Sequence, residues 1–270
     1  MKISFLTRRN TALLFSLMYS LILGNGTYAY GGELKTKLEQ RIIKFPSQSI
    51  GALNVTPARS NPDDSWMMYG FGKQVGSAQG TVSLKLAPGE LVLLNANRRV
   101  FENPLLLKEV SPDGIDSIQL GFTSMEDRED HYLERAISYV DNLKGLRALF
   151  LDRSEANDAE VSKLKSMKHL RVINLFLTGI DGSCFKGLSA FPELEEVDAP
   201  SCKLDQRHIV DLAKIAKLKH LDLSHTGMNL VGARALPKIT NLTVLSISGN
   251  EQFDDQCLKF LRFLTHLRSL

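Results

Sequence analysis

This sequence lacks the local patterns that mark most enzymes and metal sites. Its 270 residues contain no glycine-rich phosphate loop before a helix and no sharp glycine-flanked serine turn, which are the turns that hold phosphates and catalytic serines. His208, His220 and His225 are near one another in sequence, but nothing supplies the close ligand spacing of a zinc site. We therefore expect no catalytic residues, no metal and no cofactor.

An excess of positive charge is also missing once the amino terminus is set apart. The chain has 33 basic and 30 acidic residues, and Lys2, Arg8 and Arg9 lie in a leading segment without acidic residues. The remaining sequence has 30 basic and 30 acidic residues. No long basic run is left to neutralise a row of phosphates, so nucleic acid is not an expected partner.

Long hydrophobic runs are equally scarce. The apolar stretch from Ala12 to Leu23 is shorter than the ~20 residues that a membrane-spanning helix needs. It follows the basic residues and precedes Thr27-Tyr28-Ala29, as in a cleaved signal peptide. Residues 1–29 are therefore predicted to be removed, which leaves a chain without a membrane span that is secreted, periplasmic or on the cell surface.

Apolar residues recur at regular spacing in the second half of the chain. A pattern of Leu, two residues, an apolar residue, one residue and another apolar residue starts seven times, with spacings of 31, 24, 24, 24, 24 and 25 residues. The starts are Ile115, Leu146, Leu170, Leu194, Leu218, Leu242 and Leu267. The alternation predicts a short strand, and the apolar residues after it fit a helical return.

This pattern resembles the leucine-rich-repeat family, and its 24-residue period is most similar to the repeats of bacterial exported and surface proteins. The resemblance implies an α/β solenoid of short parallel strands with helical returns over residues 115–270, with six repeats and the start of a seventh. Small polar residues occupy the turn after each strand, where they can bond to the backbone. This structural turn ladder comprises Thr123, Ser154, Thr178, Cys202, Thr226 and Asn250.

Residues 30–114 do not show this period and are predicted to form a small β-rich cap over the first repeat. The spacing of Leu34, Leu38, Ile42 and Phe45 favours an amphipathic helix. Alternation predicts two strands, at Val82 to Leu86 and at Leu91 to Leu93, with a turn at Pro88-Gly89. We expect a short helix to open at Asn103-Pro104.

Three cysteines in an exported chain raise the question of a disulfide. Cys184 and Cys257 occupy equivalent positions three repeats apart, which separates them by about 14 Å or more when strands stack at ~4.8 Å. A disulfide requires a separation below about 7 Å. Cys202 belongs to the turn ladder, so we expect three free, packed thiols.

The outward strand positions form the candidate partner-binding face, on the concave side of the stack. Four of its side chains are apolar and neighbouring, and others are charged or polar. The candidate residues are Phe122, Phe150, Arg153, Phe176, Leu177, Asp198 and His225. Two interpretations of the apolar residues stay open: they bind a partner, since grouped aromatics are typical anchors, or the cap or an inserted loop covers them.

The leading functional hypothesis is non-catalytic recognition of another protein outside the cytoplasm, as recognition, adhesion or scaffolding. A second hypothesis makes the chain the substrate-recognition part of a larger exported effector or enzyme, with a catalytic domain beyond residue 270. A third makes it a structural envelope component. The seventh repeat begins at Leu267 without a polar cap, so self-association at that end is also expected.

Overall fold

Short strands form the framework of the fold. The computed structural model describes residues 37–59, 65, 71–121 and 132–270, which belong to one unit, Lys37–Leu270. The strands in these ranges are β1 (Glu39–Lys44), β2 (Gly51–Thr56), β3 (Lys73–Ser77), β4 (Thr81–Leu86), β5 (Leu91–Ala96), β6 (Ser117–Gln119), β7 (Ala148–Phe150), β8 (Val172–Asn174), β9 (Glu196–Asp198), β10 (His220–Asp222) and β11 (Val244–Ser246). β1 and β4 pair antiparallel, and the others form one sheet in the order β11-β10-β9-β8-β7-β6-β5-β2-β3.

The strands from β5 to β11 are parallel, and their register follows the sequence period. Ala148, Val172, Glu196, His220 and Val244 stand side by side on β7 to β11. The middle residue of each strand points into the core, where it stacks on its equivalents. These buried residues are Ile118, Leu149, Ile173, Val197, Leu221 and Leu245. The predicted α/β class with a parallel-strand sheet is confirmed.

The parallel series begins one strand earlier than the sequence period indicated. β5 pairs in parallel with β6 and places Leu94 beside Ile118, 24 residues along the chain. It lies inside the segment that was interpreted as a separate cap. Its other edge pairs antiparallel with β2, and Leu91 to Leu94 are all buried. Burial on both sides of the sheet gives a continuous apolar run in place of an alternation, and this concealed the period.

Short helices connect the strands on the opposite side. The α-helices in the described ranges are α1 (Arg98–Glu102), α2 (Tyr132–Val140), α3 (Asp158–Val161), α4 (Phe185–Leu188), α5 (Leu230–Ala235) and α6 (Asp255–Leu261), with 3-10 helices at Pro104–Glu109, Gln206–Lys214 and Leu236–Lys238. Asn157, Asn229 and Asp254 cap the starts of α3, α5 and α6 by accepting hydrogen bonds from backbone N–H groups. None of these helices has both the length and the apolar composition needed to cross a bilayer.

The helix predicted from Leu34 to Phe45 is wrong over the described residues, since Glu39–Lys44 is strand β1. Ile43 is buried and Ile42 is exposed, which is the alternation of a strand paired on β4. The four-residue spacing of the apolar residues fits a helix equally well. Pairing with β4 and the β-branched Ile42 and Ile43 favour the extended conformation.

The turn after each strand is held by side-chain hydrogen bonds. Ser154 Oγ donates to Leu151 O at 2.6 Å, Thr178 Oγ1 to Leu175 O at 2.8 Å and Thr226 Oγ1 to Leu223 O at 2.7 Å. Cys202 Sγ donates to Leu175 O at 3.0 Å, across to the neighbouring turn. These bonds satisfy carbonyl groups that the strand ladder leaves unpaired. Thr123 lies outside the described residues.

Asn250 makes the most extensive contacts of this kind. Its Nδ2 donates to Leu223 O at 2.9 Å and to Ile247 O at 2.8 Å. Its Oδ1 accepts from the backbone N–H groups of Thr226 and Met228, both at 2.9 Å. One amide therefore joins two successive turns.

The three cysteines, Cys184, Cys202 and Cys257, are free and buried. Burial raises the pKa of each thiol. For Cys184, the nearby charge of Asp158 raises the pKa further. Deprotonation, and with it thiol reactivity, is therefore disfavoured at all three positions in the folded chain.

Candidate functional site

The candidate site is the strand face, defined as the first and third residues of β6 to β11 with the equivalent Leu93 and Asn95 of β5. Side chains alternate along a strand, so these residues point away from the stacked core residues. The face changes character along the sheet. An apolar cluster from β5, β7 and β8 lies beside uncharged polar residues of β5, β6 and β8, and β9 and β10 carry acidic residues.

The apolar part consists of Leu93, Ala148, Phe150 and Val172, which form a buried cluster separate from the main core. Phe71, two residues before β3, packs its ring edge-to-face on Phe150 with centroids 5.8 Å apart and ring planes at 75°. Phe150 is therefore only 7% exposed. Its ring is not part of a free surface patch, and it is covered by a residue from the amino-terminal part of the chain.

The acidic part contains Glu196 and Asp198 on β9 and Asp222 on β10, with Glu195 just before β9. Arg59 Nη2 lies 3.2 Å from Glu195 Oε1, and Ser65 Oγ donates to Glu196 Oε1 at 2.6 Å. Arg59 and Ser65 come from the connection between β2 and β3, as Phe71 does. Glu196 is 0% exposed, so one connection covers both parts of the strand face.

His220 lies beside Glu196 in the next strand. Its Nδ1 is 3.3 Å from Glu196 Oε2, and the ring is 4% exposed. Its Nε2 is buried and has no hydrogen-bond partner among the described residues. An imidazole whose one nitrogen faces a carboxylate leaves the other available to a ligand.

Asp198 carries the clearest electrostatic perturbation of the face. Burial raises its pKa well above the ordinary value, and the charges of Glu196 and Asp222 and a hydrogen bond with Glu196 raise it further. Its Oδ2 has no partner among the described residues, and the residue is 7% exposed. Adjacent carboxylates in a dry environment hold a proton because both cannot carry charge at low cost.

A row of side chains, termed the rim, borders the strand face just after β7 to β10; Ser201 is half-buried, and the other three are exposed. Arg153, Leu177, Ser201 and His225 have φ values of 56°, 53°, 59° and 56°, a left-handed conformation that costs energy for residues with a Cβ. Leu177 is 43% exposed, although it is apolar. At the next position in this series, Gly249 also has a positive φ, and the His225 ring lies where its Cβ would be.

The structure divides the sequence-predicted binding residues into two groups. Arg153, Leu177 and His225 are exposed on the rim, and Phe176 is half-buried beside them. Phe150 and Asp198 are buried in the strand face, and Phe122 lies outside the described residues.

Sequence reasoning missed Arg59, Ser65, Phe71, Glu195 and Glu196. It considered His220 only as a possible metal ligand and did not expect its burial. The register of the repeats contained one usable signal, because it places Glu196 and Asp222 next to Asp198. Such a group of carboxylates requires either solvent or a cationic cover. Within the described ranges, no group of three or more His, Cys and acidic side chains is arranged to hold a metal ion.

Comparisons with known proteins found similarity of structure only. No protein-family model matches the chain, and no curated protein matches it. A crystal structure of an internalin (inlF) from Listeria monocytogenes aligns with a TM-score of 0.46 and 17% identity, over 58% of this chain and 47% of that one. The chain thus matches about half the length of that internalin.

Two further solved structures align more weakly. Actin-binding site 2 of leiomodin-1 gives a TM-score of 0.37 and 15% identity, over 62% of this chain and 88% of that one. An internalin C2 from Listeria monocytogenes gives 0.27 and 14%, over 64% of this chain and 92% of that one.

Proposed function

We propose that this chain is a non-catalytic protein-binding module, built as a leucine-rich-repeat solenoid with a β-rich amino-terminal cap. Its partner binds along the strand face and the rim. The supporting observation is the rim itself, which has the same strained conformation in four consecutive turns, at Arg153, Leu177, Ser201 and His225. Residues held in unfavourable backbone conformations concentrate at functional sites.

The composition of the rim fits a protein partner better than a small molecule. An arginine, an aliphatic side chain, a serine and an imidazole follow one another along the sheet, and neighbouring strands lie about 4.8 Å apart. The row therefore spans several strands, which suits an extended surface. Arginine and exposed apolar side chains are common contributors to protein interfaces.

Site-specific photocross-linking tests the proposal. A benzophenone side chain at Leu177 or at His225 should cross-link to a protein from the native extracytoplasmic fraction. The same group at Lys186, exposed on α4, is the matched control and should give no product. Equal yields at all three positions would show that the contacts are unspecific, and the rim would lose its assigned role.

We also propose that the protein acts after export, as a secreted, periplasmic or surface protein. The support is the leader-like sequence before Tyr30, with basic residues, an apolar run and Thr27-Tyr28-Ala29. Amino-terminal sequencing of protein recovered outside the cytoplasm should begin near Tyr30. Recovery of an unprocessed chain from the membrane fraction would contradict cleavage.

A further inference from the structure

Gly249 occupies the fifth position of the series that the rim begins. The four rim residues and Gly249 follow one another at intervals of 24 residues. The φ of Gly249 is 67°, and the φ values of the rim residues lie between 53° and 59°. Since the rim residues adopt this left-handed conformation with a Cβ, the backbone alone does not require glycine at the fifth position. The reason for glycine lies in its surroundings.

The imidazole of His225 fills the space beside Gly249. A Cβ on Gly249 would lie 2.0 Å from Cε1, 2.2 Å from Nδ1 and 2.6 Å from Nε2 of this ring. Contacts of a Cβ below 3.0 Å are essentially never seen in proteins, and these are the three nearest atoms. The ring therefore lies across the backbone of Gly249, in a place from which a side chain at this position would exclude it.

Gly227 shows that a left-handed glycine does not by itself attract such a contact. It lies two residues after His225 in the same turn and has a φ of 71°. A Cβ added to Gly227 would meet nothing within 4 Å. Both glycines are exposed. They share backbone conformation and exposure, and they differ in the contact with the ring.

Hydrogen bonds hold the two turns that form this contact. The backbone N–H of His225 donates to Ser248 O at 2.9 Å, and Ser248 Oγ donates to Ser224 Oγ at 3.1 Å. Asn250 Oδ1 accepts from the N–H of Thr226 at 2.9 Å. These bonds flank His225, so the ring and the backbone beneath it stay together. His225 is nevertheless exposed, and part of its surface is open to a partner.

An exposed side chain with a fixed orientation is well suited to binding. A mobile side chain loses conformational entropy when a partner immobilises it, and this loss weakens association. The contact with Gly249 orders the imidazole of His225 before a partner arrives. A neutral imidazole then offers one hydrogen-bond donor and one acceptor.

We propose that His225 is the specificity-determining side chain of the rim and that Gly249 is its positioning residue. The inference rests on the proposed function and describes the partner by its chemistry. Leu177 and His225 follow strands that are two positions apart, which separates them by about 10 Å when strands lie about 4.8 Å apart. The partner is a protein surface with an apolar side chain for Leu177 and, at that distance, a polar side chain that hydrogen-bonds to the imidazole.

Two glycine variants test the positioning role by NMR. In Gly249→Ala the ring has to move away, so the nuclear Overhauser effect between the His225 ring protons and the Hα of residue 249 should be lost. The matched control is Gly227→Ala, which introduces the same backbone strain and should keep this signal. Persistence of the signal in Gly249→Ala would show that the ring tolerates a side chain there, and the positioning role would be wrong.

Urea unfolding of double variants separates the ring contact from backbone strain. Gly249→Ala should be less destabilising in a His225→Ala background than in the unaltered protein, because the clash with the ring is then absent. Gly227→Ala should be equally destabilising in both backgrounds. Equal effects of Gly249→Ala in the two backgrounds would contradict a contact between this residue and the ring.

Binding measurements test the specificity role. The probe is the protein that cross-links to Leu177, purified after its identification by mass spectrometry. Gly249→Ala and His225→Ala should each raise its Kd about tenfold or more, whereas Gly227→Ala should leave the Kd unchanged. Since His225→Ala removes the ring without adding strain, its affinity decides the matter even where Gly249→Ala unfolds the protein.

The failure of this inference can be told from the failure of the proposed function. A specific cross-link from Leu177 with an unchanged Kd of the His225→Ala variant would overturn the inference and leave the rim as the binding surface. Absence of a specific cross-link from Leu177 would overturn the proposed function and, with it, the specificity role of His225.

Discussion

At the scale of single residues, the strand face keeps buried polar atoms at a cost in stability. Asp198 Oδ2 and His220 Nε2 are the side-chain atoms of β9 and β10 without partners among the described residues, and each such atom costs about 1–3 kcal/mol. The two atoms lie in the candidate site. Functional surfaces commonly hold groups that would be replaced if stability alone mattered.

The raised pKa of Asp198 makes this cost dependent on pH. The pKa of Asp198 in the folded protein lies well above that of an ordinary aspartic acid, so the folded state binds the proton more tightly than the unfolded state does. The stability due to this group is complete below about pH 4 and is lost as the pH rises through the folded pKa. Asp198→Asn should therefore raise the free energy of unfolding at pH 8 but not at pH 4, in urea titrations.

Asp211→Asn is the control with the opposite sign. A hydrogen bond from Lys214 lowers the pKa of Asp211. Asp211 therefore stabilises the fold at a pH above the pKa that it has in the unfolded chain, and this stabilisation is lost as the pH falls through the folded pKa. Its amide variant should be no more stable than the unaltered protein at pH 8. A pH-independent effect of Asp198→Asn would mean that Asp198 is ionised to the same extent in both states.

The conformation of Leu177 gives a second prediction at this scale. Its φ of 53° costs a Cβ-bearing residue about 1–2 kcal/mol, and asparagine tolerates it better. Leu177→Asn should raise the free energy of unfolding by about 0.5–1 kcal/mol and weaken partner cross-linking from His225. Leu105→Asn, at an exposed leucine without a positive φ, should give no stabilisation.

At the scale of elements, each turn depends on the next one along the sheet. Asn250 bonds to Leu223 O and to the N–H groups of Thr226 and Met228 in the preceding turn. Asn250→Ala leaves these buried groups unpaired and should lower the free energy of unfolding by about 3 kcal/mol. Asn241→Ala removes one exposed bond, to Ala216 O at 2.8 Å, and should cost no more than about 0.5 kcal/mol.

The elements also show why some of the fold was readable from sequence. The register of β7 to β11 follows from the 24-residue spacing of inward residues such as Leu149 and Ile173, because every unit buries the same positions against its neighbour. β1 was not readable. The spacing of Leu38, Ile42 and Phe45 fits a helix, and it is the pairing with the distant β4 that favours a strand.

At the scale of the whole molecule, the exposed part of the candidate site was easier to predict than the covered part. The rim positions of Arg153, Leu177 and His225 follow from the repeat register. The cover on Phe150 and Glu196 comes from Phe71 and Ser65, which are far away in sequence. A local periodicity in the sequence cannot predict such a contact, because the contact depends on how β2 and β3 join the sheet.

The sheet has unequal support along its length, which predicts an order of local opening. β11 pairs with β10 along one edge and has a single bridge, Val244 to Ser269, on the other. Strands β8 and β9 are paired on both edges, and β9 also lies under Ser65. The stability of a stack of similar units is close to the sum of the contributions of each unit and of its contacts with its neighbours. The unit with the fewest contacts to its neighbours should therefore open first.

The three buried cysteines measure that order directly. Cys257 belongs to α6, beyond β11, while Cys184 and Cys202 belong to the turns and helices between β8 and β10. Since burial raises the pKa of all three thiols, each reacts only when its unit opens. In dilute urea, alkylation of Cys257 should be at least tenfold faster than that of the other two, as measured by peptide mass spectrometry. A tenfold ratio corresponds to a free energy of local opening that is about 1.4 kcal/mol lower at Cys257.

In full denaturant all three should react at one rate, which is the control for intrinsic reactivity. Equal rates below the unfolding transition would show that the chain opens only as one cooperative unit, and the neighbour-by-neighbour account of its stability would then be wrong.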